Sequence, residues 1–172
     1  MQGRDDEARR WLGLAAERYR ESFAGAPPDS WGRPIGAVKT RVLAGDWPGA
    51  AEDARWALET GSADSDSPIG RYAAALALLV LDRDSEARPL AESLRAREDF
   101  PPAVADSLAA LAGGDFLAYA AAVRAVLESF ETREAHLEDL PVADTVIVLQ
   151  ALAKRRGATV ELESALLPGA VA

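Results

Sequence analysis

The sequence predicts an all-α fold of about eight helices, arranged as antiparallel helix-turn-helix hairpins around a central alanine-rich helix. Three observations carry that reading. Hydrophobic residues make up 49% of the chain, and many are alanine, the strongest helix former. Prolines and glycines fall between apolar segments more than inside them. Pro34, Pro68 and Pro102 recur at a spacing of 34 residues, each opening an apolar helical segment. That period is the one of tetratricopeptide repeats. The chain has 172 residues, enough for one domain with a real core and short for two. The whole of 1–172 is therefore expected to be a single helical domain.

The first helix is expected within residues 1–24, running from about Asp5 to Ala24, with Ala8, Leu12, Ala15, Tyr19 and Phe23 on one apolar stripe. The turn-rich stretch GAPPDSWGR follows, and three hairpins fill 34–131. Proline suits the first helical position, where its missing N–H costs nothing, and Ser67 is a candidate N-cap before Pro68. The first helix of each hairpin ends in an acidic turn: AGDW at 44–47, DRDS at 82–85 and GGDF at 113–116. The second helices read GAAEDARWALET, EARPLAESLRAR and LAYAAAVRAVLESF. Pro34 and Asp46 lie closer together than Pro68 and Asp84, and the tetratricopeptide pattern of Trp, Leu-Gly, Tyr and Ala is missing. An irregular array is the expectation.

The central helix is SPIGRYAAALALLVL at 67–81. Gly70, Ala73, Ala74 and Ala77 form a small-residue face; Tyr72, Leu76, Leu79 and Val80 form a bulky one. A helix that is apolar all round belongs inside, with neighbours on both sides. Residues 141–157 read as a C-terminal buried helix, with Pro141 and Asp144 in its first turn. Lys154, Arg155 and Arg156 lie at its end, an order that complements the helix dipole. The tail, 158–172, is compatible with helical or extended structure. SADSDS at 62–67 reads as a mobile acidic loop.

Composition restricts function. A net charge of −9 argues against nucleic-acid binding, which requires clustered Lys and Arg. With no cysteine there is no disulfide, thiolate metal site or Cys nucleophile. The apolar run Tyr72–Leu81 is ten residues, against about 20 for a membrane-spanning helix. The N-terminal MQGRDDEARR lacks the features of a signal peptide. A cytoplasmic protein, not membrane-bound, is expected.

No catalytic, cofactor or metal site is expected. The lone histidine, His136, sits in a polar connector with Glu138 and Asp139, short of the paired ligands that a helical metal motif supplies. The glycines precede no Lys-Ser/Thr pair, and no G-x-S-x-G elbow occurs. Binding offers more. Trp47 aligns with Ala51, Ala54 and Leu58 on the expected core side, whereas Trp56 shares a face with Glu52 and Glu59. A surface Trp among carboxylates can anchor a basic partner; the competing reading packs Trp56 on a neighbouring hairpin. Trp31 is either an exposed anchor or a plug over the core.

Several blocks resemble the immunity 49 family, antidote proteins of bacterial polymorphic toxin systems. They are SPIGRYAAALALLVL, DFPPAVADSLAAL at 99–111, SFETREAHLEDLPVADTVIVLQALAKRRG at 129–157 and ELESALLP at 161–168. The resemblance implies an all-α cytoplasmic protein that binds and blocks a toxin encoded beside it; it carries over no site residue. On aromatic or acidic character, the expected partner contacts are Trp56, Glu52 and Glu59, then Asp64 and Asp66, then His136, Glu138 and Asp139. The alternative is a repeat-like scaffold binding a peptide or host protein, which predicts a concave groove lined by convergent polar side chains.

Overall fold

The computed structural model describes residues 2–133 and 142–168. Eight α-helices and no strand occur among them: α1 (Gln2–Phe23), α2 (Gly32–Leu43), α3 (Trp47–Glu59), α4 (Pro68–Val80), α5 (Asp84–Arg95), α6 (Pro102–Gly113), α7 (Phe116–Glu131) and α8 (Asp144–Arg155). Each helix from α1 to α7 packs on the next. The inner helices α2, α4 and α6 also touch in series, and α8 lies across α2, α6 and α7. The all-α hairpin array is thus the observed fold.

Pro68 and Pro102 open α4 and α6 at the first helical position. Pro34 does not: α2 begins at Gly32, with Pro34 inside its first turn. Both prolines of the two P-I-G tripeptides are followed by a glycine that admits a side chain against the helix backbone. A Cβ at Gly36 would lie 2.6 Å from the Tyr19 ring, and one at Gly70 2.5 Å from Ser65 and 3.0 Å from the Trp31 indole nitrogen. Trp31 is buried, so of its two readings the plug holds.

The inner helices end alike. Gly45, Asp82 and Gly114 adopt left-handed φ values of 71°, 56° and 70°. The next N–H in each case, from Asp46, Arg83 and Asp115, reaches back to the carbonyl of Arg41, Leu78 or Ala110 at 2.9–3.0 Å. This paired return satisfies helix-end carbonyls. Asp46 and Asp115 then cap the following helices by accepting from the Gly49 and Ala118 N–H groups, at 3.0 Å each. In the middle unit the cap position holds Arg83, and Asp84 is the first residue of α5. The spacing therefore misplaced Asp84 by one residue as the counterpart of Asp46.

Residues 73–80 of α4 are all buried, as the all-round apolar pattern requires. Neighbouring α2, α3, α5 and α6 pack against that surface, and α8 reaches it through side chains at its two ends. Asp144 at its start is close enough to Tyr72 to act on its ionisation, and Arg156 at its end donates to the Leu79 carbonyl at 2.8 Å. Arg156 also pairs with Asp84, and Arg155 with Asp82 at 2.5 Å. The basic end of α8 thus clamps the α4–α5 turn, a role beyond complementing its own dipole. Lys39 of α2 pairs with Asp144 at the other end.

Two local expectations are corrected. The 62–67 segment forms a 3-10 turn over Ser62–Asp64, with Ser62 buried and donating to the Ala57 carbonyl at 2.7 Å. Ser67 then caps α4 through the Ile69 N–H. On α1 the buried residue is Ala16, while Ala8 is exposed and Tyr19 is 38% exposed. Leu12, Ala15 and Phe23 of the stripe are half-buried, and the packed face is shifted toward Ala16 and Arg20, whose side chain reaches Asp53 of α3. The tail from Ala158 runs back along α8 without helix as far as Pro168, the last described residue. Ala158 and Val160 are buried, the Ala143 N–H donates to the Leu166 carbonyl at 3.0 Å, and Gln150 donates to the Val160 carbonyl at 2.5 Å.

Candidate interaction surfaces

α3 carries two opposed faces. Ala50, Asp53, Ala54 and Ala57 are buried, whereas Glu52, Arg55 and Glu59 are exposed. Spacings of three and four residues put each set on one side of the helix. Asp64 and Asp66 extend the exposed acids beyond the C-terminus of α3. Asp66 lies 3.5 Å from Arg71. Glu52, Glu59 and Asp64 have no ion-pair partner among the described residues.

Trp56 is half-buried. Its ring meets Phe23 edge-on, with centroids 5.4 Å apart, and the Arg20 guanidinium lies 5.0 Å from its centroid. It therefore packs on α1 rather than on a neighbouring hairpin. Burial of its apolar area there contributes to docking α1. The acids on either side of it remain outward. His136, Glu138 and Asp139 lie outside the described residues.

Sequence reasoning missed the charge cluster below Trp56. Asp53 is 1% exposed, yet it accepts from Arg20 of α1 at 2.8 Å and Arg41 of α2 at 3.3 Å. Arg41 also reaches Asp46 at 3.0 Å. A buried carboxylate requires this kind of compensation. The cluster joins α1, α2 and α3. Its signal was visible as a lone acid on the alanine face Ala50/Ala54/Ala57.

A groove of about 690 Å³ opens between α5 and α7 on the side away from α8, with α6 as its floor. One wall is charged: Arg88, Glu92 and Arg95 project from α5 at helical spacing. The other is Ala118, Ala121, Ala122 and Ala125 of α7, and Ala109, Ala110 and Gly113 form the floor. Arg95 is held by Glu92 at 3.0 Å and Asp106 at 2.7 Å, which neutralises that end. Phe116 and Leu117, 41% and 85% exposed, follow the cap residue Asp115 at the other. The lining can admit an apolar side chain or a helix edge, with polar contacts along one wall only.

Two tyrosines serve the interior rather than a site. Burial pushes the Tyr72 phenol far above its usual range, and the Asp144 carboxylate adds to the shift. Burial raises Tyr119 likewise; its hydroxyl donates to Gln150 at 2.9 Å, linking α7 to α8. Among the described residues no group of three or more His, Asp or Glu side chains is placed to hold a metal ion. None of the described helices is long and apolar enough to cross a membrane. No family model, curated protein or solved structure matches the chain.

Proposed function

We propose that this chain is an immunity protein of the kind its sequence resembles: a cytoplasmic antidote that binds a co-encoded bacterial toxin and blocks it by stoichiometric cover. The single observation that carries this reading is the outer acidic surface of Glu52, Glu59 and Asp64. These carboxylates are exposed and form no ion pair among the described residues, Arg55 being the one basic residue on the same face of α3, on a chain of net charge −9. A surface with unspent charge favours a partner of opposite sign and speeds its approach. A nuclease toxin, whose substrate groove must be basic, fits that chemistry. The rigid array beneath supports the same reading, since a preformed surface loses little entropy on binding.

The scaffold alternative calls for an open concave side, the usual binding surface of helical solenoids. The groove between α5 and α7 carries polar side chains along one wall only, over an alanine floor, rather than the convergent polar lining that reading predicts, which favours the first reading.

Co-expression with the product of the neighbouring gene tests the proposal. The expected result is rescue of growth and a one-to-one complex whose association rate falls with salt. Reversing Glu52, Glu59 and Asp64 to Lys is expected to slow association at least tenfold without changing the fold. A neighbouring gene with no toxic product, together with no rescue, would sink the proposal.

A further inference from the structure

α1 is 22 residues long and α2 only 12, roughly 33 Å against 18 Å. The longer helix packs through Ala16, Arg20 and Phe23 and shows a different face to solvent. On that outer face stand Glu7, Trp11, Leu14 and Arg18, all exposed. Trp11 is 60% exposed, the most of any aromatic side chain described here, and Leu14 is 38% exposed. At about 100° per residue, this ridge lies nearly opposite Ala16. The four residues alternate at spacings of four and three, the register of a coiled-coil seam.

The ridge is self-complementary. A two-fold axis passing between Trp11 and Leu14, perpendicular to α1, reverses the helix direction. It sets Trp11 against Leu14 of a second copy and Glu7 against Arg18 of that copy. Both relations occur twice by symmetry. Antiparallel seams pair their two core positions in this crossed way. A parallel pairing would oppose Glu7 to Glu7 and Arg18 to Arg18. Ala8 and Ala15 flank the ridge, small enough to let the backbones approach. In the single chain, Arg18 pairs with Glu21 of its own helix at 2.5 Å, both largely exposed, and such pairs exchange at little cost.

We infer that the outer face of α1 is a homodimer interface, formed by antiparallel pairing of two copies about Trp11 and Leu14. Glu7 to Arg18 is about 17 Å of helix, so the contact is small and the association is expected to be weak and reversible. The two Trp11–Leu14 layers supply the affinity and the two Glu7–Arg18 pairs the direction.

Sedimentation velocity of the full chain across the micromolar range tests this. A reversible monomer–dimer equilibrium is expected, weakened at least tenfold by Trp11→Ala, whose exposed site leaves the helical circular dichroism unchanged. Glu7→Arg and Arg18→Glu should each weaken self-association, because each places like charges across the axis. An equimolar mixture of those two variants should recover it, since every crossed pair is then of opposite sign. A chain that stays monomeric throughout overturns the inference. So does a dimer indifferent to Trp11→Ala, or one in which neither single reversal weakens pairing.

Discussion

The two sides of the helical array are built from similar alanine-rich helices but finished differently. Along the inner side, α8 packs across α2, α6 and α7, and its polar ends are consumed by Lys39, Asp82 and Asp84. On the outer side, α5 and α7 stand apart over the alanine floor of α6, and α3 presents Glu52 and Glu59 without an ion-pair partner among the described residues. The inner side has its hydrogen-bonding and apolar capacity satisfied within the chain, whereas the outer side does not.

The strongest way to break the comparison is to shorten matching apolar residues on the two sides. Leu149 of α8 is 2% exposed and Leu117 of α7 is 85% exposed. Leu149→Ala removes buried area and leaves a cavity, so a loss of about 2–5 kcal/mol is expected. Leu117→Ala should stay within about 0.5 kcal/mol of the parent. Urea denaturation followed by circular dichroism compares the two directly; equal losses would mean that the inner and outer sides are not distinct.

Arg156→Ala comes next. Its side chain is 9% exposed and donates to Asp84 and to the Leu79 carbonyl. Hydrogen bonds involving a charged group are each worth about 1.5–3 kcal/mol. Because Asp84 is 37% exposed and regains water in the variant, a loss of about 2–3 kcal/mol is expected in the same denaturation experiment. Lys154→Ala, one residue before the clamp and exposed, should have little effect. A negligible loss for Arg156→Ala would detach α8 from the account of how the inner side is closed.

High pH probes the inner side without a mutation. Tyr72 and Tyr119 both have raised phenol pKa values in the folded chain. The neutral form is therefore favoured by folding, and the contribution is fully present below the unfolded value of about 10. As pH rises past that point the unfolded state gives up protons that the folded state retains, so stability falls. Absorbance at 295 nm and helical ellipticity, followed together, are expected to show these two phenols ionising only as the helices melt. Their ionisation in a fully helical protein would place them nearer solvent than the burial of Tyr72 on α4 and the Tyr119–Gln150 contact between α7 and α8 allow.

Much of the array was legible in the sequence. The all-round apolar pattern of Tyr72–Leu81 identified the central helix, because only a helix with neighbours on every side tolerates it. The prolines at 68 and 102 marked helix starts by local chemistry alone. The parts not legible depend on partners distant in the chain. Nothing adjacent to Arg156 indicates that it reaches the α4–α5 turn, and although Asp53 stands out as a lone acid on an alanine face, its partners Arg20 and Arg41 come from two other helices. The shift of the packed face of α1 toward Ala16 and Arg20 goes with the Arg20–Asp53 pair, a contact that periodicity does not encode. The candidate contacts were legible as exposed acids at 52, 59 and 64. Trp56 was ambiguous, since its two neighbours are acidic while the ring that covers it, Phe23, is remote in sequence.

The smallest effect concerns the turn where the two sides meet. Gly45 and Gly114 take left-handed backbone at the first and third turns, and Asp82 takes it at the second, with φ 56°. For a residue with a Cβ that region costs roughly 1–2 kcal/mol, less for Asp, whose side chain bonds locally. Asp82 also meets Arg155 at 2.5 Å, a pair partly open to solvent and worth about 0.2–1 kcal/mol. Asp82→Gly removes the strain and the ion pair together and adds freedom to the unfolded chain, worth about 0.4–1 kcal/mol. These contributions nearly cancel, and a change within about 0.5 kcal/mol is expected. Asp82→Ala keeps the Cβ in the same backbone region and loses both the local bonding and Arg155, so a loss of about 1–2 kcal/mol is expected. The order of the two variants is the decisive measurement. If alanine proved as stable as glycine at position 82, the turn would not need its left-handed residue, and the kinship of the three turns would rest on spacing alone.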